Sequence, residues 1–140
     1  MRLWHKDLIS VLPKQQLLAQ WRECCCITRN ISVNGTPNHI LVNKIMDYPL
    51  SHFEAYSMWI YHEMQNRGYK VNKNRFYKWF PNIDKQVIAY YEMFSDWHDD
   101  RYLTQCYYNL QEKYDCGGIS DDEWNKVAQA YNLRYTRKEK

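Results

Sequence analysis

The chain has 140 residues, 25% of them charged and 45% hydrophobic, with a formal net charge of +3. That is the length of one domain around one core, too short for two. No run of 18 or more apolar residues occurs, which excludes a membrane-spanning helix. The opening Met1-Arg2-Leu3-Trp4-His5-Lys6 lacks the apolar stretch and small-residue cleavage site of a secretory signal, so a cytoplasmic location is expected.

Only four glycines and four prolines punctuate the chain, and apolar residues recur at helical rather than alternating spacing. The expected class is all-α: a small single-domain helical fold over residues 1–140. Pro13 opens a first helix running to about Thr28. At about 100° per residue, Leu17, Leu18, Trp21, Cys24 and Cys25 share its core face, and Gln15, Gln16, Ala19, Arg22, Glu23 and Cys26 share the opposite one. Asn30 to Asn38, with Asn34-Gly35-Thr36-Pro37, reads as a loop, and His39 to about Met46 as a second helix. Ser51 is placed to cap a long helix with Glu54 closing a capping box. Phe53, Tyr56, Ser57, Ile60 and Met64 form the buried stripe of that helix, and Gly68 is its left-handed stop. Lys70 to Pro81 is basic and aromatic, with room for a short helix before Pro81. Asp84 to Phe94 and Asp99 to Asp115 read as further helices, the latter closed by Cys116-Gly117-Gly118. Ser120 and Glu123 form a second capping box, opening a last helix to about Tyr131, and Thr136 to Lys140 are expected to fray.

Charge is unevenly spread. Residues 67–85 carry Arg67, Lys70, Lys73, Arg75, Lys78 and Lys85 against Asp84 alone, and residues 92–123 hold nine acids against Arg101 and Lys113. Such a polarity turns one side toward a polyanion; an ordinary solvated surface is the alternative. Thirteen tyrosines and six tryptophans either stack on unpaired bases beside these cations or fill a helical core. Of the five cysteines, Cys24, Cys25 and Cys26 are consecutive. On a helix they fan apart and cannot converge on one metal, and no Cys-x-x-Cys pair exists. Reduced thiols are expected. His62 and Glu63 lack a second metal-spaced histidine, so neither a metal nor any other cofactor is expected.

One nucleophile needs no side chain. A chain-terminal amine has an ordinary pKa of about 7.7 to 8.0, so part of it is neutral near pH 7, unlike lysine. It can attack the anomeric carbon of a sugar and form a Schiff base, replacing one hard displacement by easier steps. A carboxylate must then manage the protons, and Glu23 is the candidate if the N-terminus folds back over the first helix.

Arg2 after the terminal residue, Leu8-Ile9-Ser10-x-Leu12 and Gln15-x-Leu17-x-Ala19-x-x-Arg22-Glu23 resemble the pyrimidine-dimer DNA glycosylases of the phage endonuclease V type. His39, and Glu63 four residues before Arg67-Gly68-Tyr69, add a second patch, so that the resemblance spans about residues 1–70. It implies an all-helical monomer acting on double-stranded DNA with a damaged or abasic site, at no membrane. The base would be removed through attack by the terminal amine, and the strand cut by β-elimination. Met1 would supply the amine and Glu23 the catalytic carboxylate. Arg2 and Arg22 would contact phosphate or lesion, and His39 would touch DNA. The family's phosphate-binding histidine falls on Gln16 here. An arginine three residues beyond the glutamate falls on Cys26, with Arg29 one turn further on as its substitute. The competing expectation is a non-catalytic DNA- or RNA-binding helical module, whose function would survive an N-terminal extension and whose binding would weaken steeply with salt.

Overall fold

The computed structural model describes residues 1–81, 83 and 86–138, the last four by their backbone alone. Among the described residues all regular structure is helical: α1 Lys14–Asn34, α2 Leu50–Asn66, α3 Asn74–Tyr77, α4 Asp100–Asp115 and α5 Asp121–Lys138, with 3-10 helices at Lys6–Val11 and Asn43–Asp47. α2 and α3 pack on α1, and α5 packs on α4 and on the first 3-10 helix. No helix is long and apolar enough to cross a membrane.

α1 buries Leu17, Trp21, Cys24 and Cys25 as the wheel requires, continuing through Ile27 and Ile31. It runs past Thr28 to Asn34, so the expected loop begins late. The stop is Gly35, at φ 74°, whose N–H closes on the Ile31 carbonyl at 2.8 Å; a left-handed backbone suits a residue without Cβ. At the other end, Pro13 offers no side-chain cap. Glu123 does: its Oε2 accepts the Lys14 N–H at 2.6 Å. The Ser120 hydroxyl accepts the Glu123 N–H at 3.2 Å and donates to Oε1 of the same residue at 3.1 Å. One carboxylate therefore serves the starts of both α1 and α5. α5 itself continues beyond Tyr131 to Lys138. Of the end expected to fray, Glu139 and Lys140 lie outside the described residues.

In α2 the stripe Phe53, Tyr56, Ser57, Ile60 and Met64 is buried, and Gly68 follows at φ 84°. The expected Ser51–Glu54 capping box is absent. The helix starts at Leu50 behind Pro49, which puts Ser51 inside the first turn rather than at the cap. Its buried hydroxyl has no partner among the described residues, and Glu54 instead accepts the Tyr77 hydroxyl. Arg67 locks the end of α2 to the first 3-10 helix. It pairs with Glu63 at 3.2 Å and donates to the carbonyls of Leu12 at 2.8 Å and Ser10 at 3.3 Å.

Two expected helices do not form. From His39 the chain makes a turn and then the 3-10 helix at Asn43–Asp47. The His39 carbonyl receives N–H groups from both Val42 and Asn43, at 3.0 and 2.9 Å. For Asp84 to Phe94, Asp84 lies outside the described residues, and 86–94 is irregular. Lys6 explains this. Its ammonium donates to the carbonyls of Tyr90 and Met93, both at 2.7 Å. The Phe94 N–H, which a helix would bond to Tyr90, goes to His52 Nδ1 at 3.2 Å. Phe94 takes a left-handed φ of 52°, tolerated because its ring is buried against Tyr48, Tyr56 and Trp97.

Most of the rings serve packing. Trp4, Trp21, Trp97 and Trp124 are buried, and Tyr107 stacks on Tyr131 with centroids 4.0 Å apart. The five cysteines are free, with Cys24 and Cys25 buried and Cys26 exposed. Among the described residues no group of three or more His, Cys, Asp or Glu side chains is arranged to hold a metal.

Two buried histidines tie the N-terminal segment to residue 98. His5 Nε2–H donates to the His98 carbonyl at 2.9 Å, and His5 Nδ1 accepts the Asp7 N–H at 3.0 Å. His98 Nδ1 accepts the Lys6 N–H at 2.9 Å. Both rings are therefore neutral. Burial pushes His5 down from 6.5 to about 4 and His98 well below its ordinary value. In the unfolded chain both protonate near pH 6.5, so unfolding takes up protons and stability falls as pH drops through 6.5 toward 4. Between pH 7 and pH 5 the His5 contribution alone is about 2 kcal/mol. Urea midpoints are expected to be lower at pH 5; equal midpoints would contradict a buried neutral pair.

Candidate active site

The first five residues run extended between three helices, and each backbone polar group held there finds a partner from a different one. The Trp4 N–H donates to Gln20 Oε1 of α1 at 2.8 Å. The Tyr56 hydroxyl of α2 donates to the Trp4 carbonyl at 2.6 Å and lies 3.1 Å from Gln20 Oε1. The Tyr102 hydroxyl of α4 donates to the Leu3 carbonyl. Leu3 and Trp4 are buried while Met1 remains exposed, so the chain end emerges at the surface beside α1.

Gln20 is the junction. Its amide nitrogen donates to the Arg2 carbonyl at 2.9 Å and to Glu23 Oε2 at 3.2 Å. One fully buried side chain thus holds the second residue of the chain and the carboxylate of Glu23 by the two hydrogens of a single NH₂ group. Gln20 was overlooked among the expected site residues. The signal was present in α1: it falls within the apolar stripe of Leu17, Trp21 and Cys24, where a polar side chain must find partners.

Met1, Arg2, Gln16, Arg22 and Glu23 line one cleft of about 490 Å³, together with Trp4, Leu41, Asn109 and Lys113. Five of the seven expected site residues are brought together. Arg29 and His39 are not among the residues lining it. Arg29 lies two turns beyond Arg22 on α1, about 10 Å along the axis, with its guanidinium 6.0 Å from the Trp79 ring centroid. His39 sits in the loop before the second 3-10 helix, its Nδ1 accepting the Leu41 N–H at 3.2 Å.

The cleft is positively charged around one acid. Arg2 and Lys113 both lie over the Trp4 ring, at 5.7 and 5.8 Å from its centroid, and Arg22 is exposed on the adjacent turn of α1. Glu23 is the sole carboxylate among the lining residues. Gln16 Oε1 is buried there without a hydrogen-bond partner among the described residues, an acceptor that favours an incoming donor. A primary amine, a half-buried carboxylate and three cations around an open cleft suit covalent chemistry on a sugar within a phosphodiester chain.

A family model described as pyrimidine dimer DNA glycosylase matches residues 1–77. That stretch holds the extended N-terminal segment, α1, α2 and α3, and every cleft residue named above except Asn109 and Lys113. Comparisons with curated proteins and with solved structures gave no match. With more than half of its length covered, the chain belongs to the pyrimidine dimer DNA glycosylase family.

Proposed function

We propose that this protein removes a damaged pyrimidine from double-stranded DNA and then cuts the strand at the abasic site, with the Met1 amine as nucleophile and Glu23 as the proton-handling carboxylate. The observation that carries the reading is the Gln20 amide, which joins the Arg2 carbonyl to Glu23 and so holds the chain end and the acid at one cleft. The amine nitrogen attacks C1′ of the nucleotide. The N–C1′ bond forms, the glycosidic C1′–N bond breaks, and the base leaves with the electron pair. Loss of the amine protons and opening of the sugar give a Schiff base at C1′. Removal of a C2′ proton then expels the 3′ phosphate, and water releases the enzyme. Glu23 stabilises the cationic sugar and relays protons in these steps. Arg2, Gln16 and Arg22 meet the phosphates and lesion around the cleft, with Arg29 and His39 touching DNA further out. The protein acts as a single-domain monomer without a cofactor.

Incubation with duplex oligonucleotides carrying a cyclobutane dimer, an abasic site or no damage tests the reading. Strand cutting is expected at the first two alone. Cutting of abasic DNA only would remove dimer specificity, and binding without cutting of any substrate would favour a non-catalytic DNA-binding module.

A further inference from the structure

The loop between α1 and the second 3-10 helix carries Ile40 and Leu41, 86% and 49% exposed. Single exposed aliphatic residues are ordinary; an adjacent pair on a fixed loop at the mouth of a charged cleft is not explained that way. The loop is held from both sides. Pro37, Val42 and Ile45 are buried, and Asn43 Oδ1 accepts the His39 N–H at 2.9 Å. Leu41 borders the cleft of Met1 and Glu23. Both residues also border an adjoining cleft of about 460 Å³ that shares Arg2 with the first and is lined by Lys44 and Arg101 as well as by Asp96 and Asp99. An apolar tip thus stands between cations able to hold phosphates on either side of it.

We propose that Ile40 and Leu41 form an apolar wedge that enters the base stack beside the damaged nucleotide and fills the space it leaves. The inference rests on the proposed action on damaged duplex DNA. Reaching C1′ requires the nucleotide to leave the stack, at a cost of a few kcal/mol, and apolar side chains inserted between base steps offset such unstacking in other DNA-bending proteins. Here the wedge lies against the cleft that receives the sugar, so insertion and delivery to Met1 occur together.

The test is a duplex carrying a non-cleavable tetrahydrofuran abasic analogue with 2-aminopurine as the neighbouring base. Saturating protein is expected to raise the fluorescence about threefold through unstacking. The double variant Ile40→Ser, Leu41→Ser at saturation is expected to give less than half of that rise. Both positions are exposed, and unchanged thermal melting confirms the fold. Val87→Ser, at a fully exposed aliphatic position elsewhere, keeps the rise. No rise with the unmodified protein, or an equal rise with the double variant, overturns the wedge. Borohydride trapping on a reactive abasic duplex reads the chemistry separately. A fluorescence rise without an adduct would remove the Met1 assignment and leave the wedge, and an adduct without a rise would do the reverse.

Discussion

Replacing Glu23 by glutamine is expected to lower the single-turnover rate of strand cutting by about 10² to 10⁴-fold, the range for loss of a positioned acid–base group, with DNA affinity changed little. Glutamine has the volume of glutamate, and its side-chain oxygen can still accept the Gln20 N–H that now reaches Glu23 Oε2 at 3.2 Å. The geometry of the cleft is kept while the charge and the proton acceptor are lost. Three cations, Arg2, Arg22 and Lys113, surround this acid, so removing its charge also makes the cleft more attractive to phosphate. A rate within a few-fold of the unmodified protein would take Glu23 out of the mechanism.

The second large effect is expected at Gln20, which acts as a positioning residue. Gln20→Leu leaves the buried Trp4 N–H and the Arg2 carbonyl without their side-chain partners. Each such orphan costs about 1 to 3 kcal/mol, so a loss of about 3 kcal/mol and a melting temperature lower by about 10 °C follow. The chain end and Glu23 also lose their common donor. A displacement of about 1 Å in a reacting group costs on the order of 10²-fold, and that is the expected fall in the single-turnover rate at saturating DNA, below the melting range. A melting temperature and rate both equal to those of the unmodified protein would show that the junction holds nothing in place.

Where local chemistry decides structure, the sequence was legible. The α1 stripe, the α2 stripe and the stop at Gly68 follow from apolar spacing and one glycine, and α4 begins where Asp99 accepts the Tyr102 N–H at 2.9 Å. Where distant groups decide, it was not. Residues 86–94 have helical spacing, yet an ammonium 84 positions away takes the Tyr90 carbonyl. Ser51 and Glu54 have the capping-box spacing, but Pro49 starts the helix too early for it. At the site, Arg2, Arg22 and Glu23 stood out by type and position. Gln20 did not, because its meaning depends on Trp4, Arg2 and Tyr56 arriving from elsewhere. Lys113 and Asn109 reach the cleft from α4, beyond the stretch that resembles the family.

The central claim is that the nucleophile is the chain end rather than a lysine, and Lys113 in the same cleft supplies a real competitor. Borohydride reduction during reaction with abasic duplex DNA, followed by peptide mapping of the cross-linked protein, separates the two. The account predicts one adduct on the Met1 amine, lost when a short peptide is added ahead of Met1. An adduct on Lys113, or an undiminished adduct with the extended terminus, would contradict it.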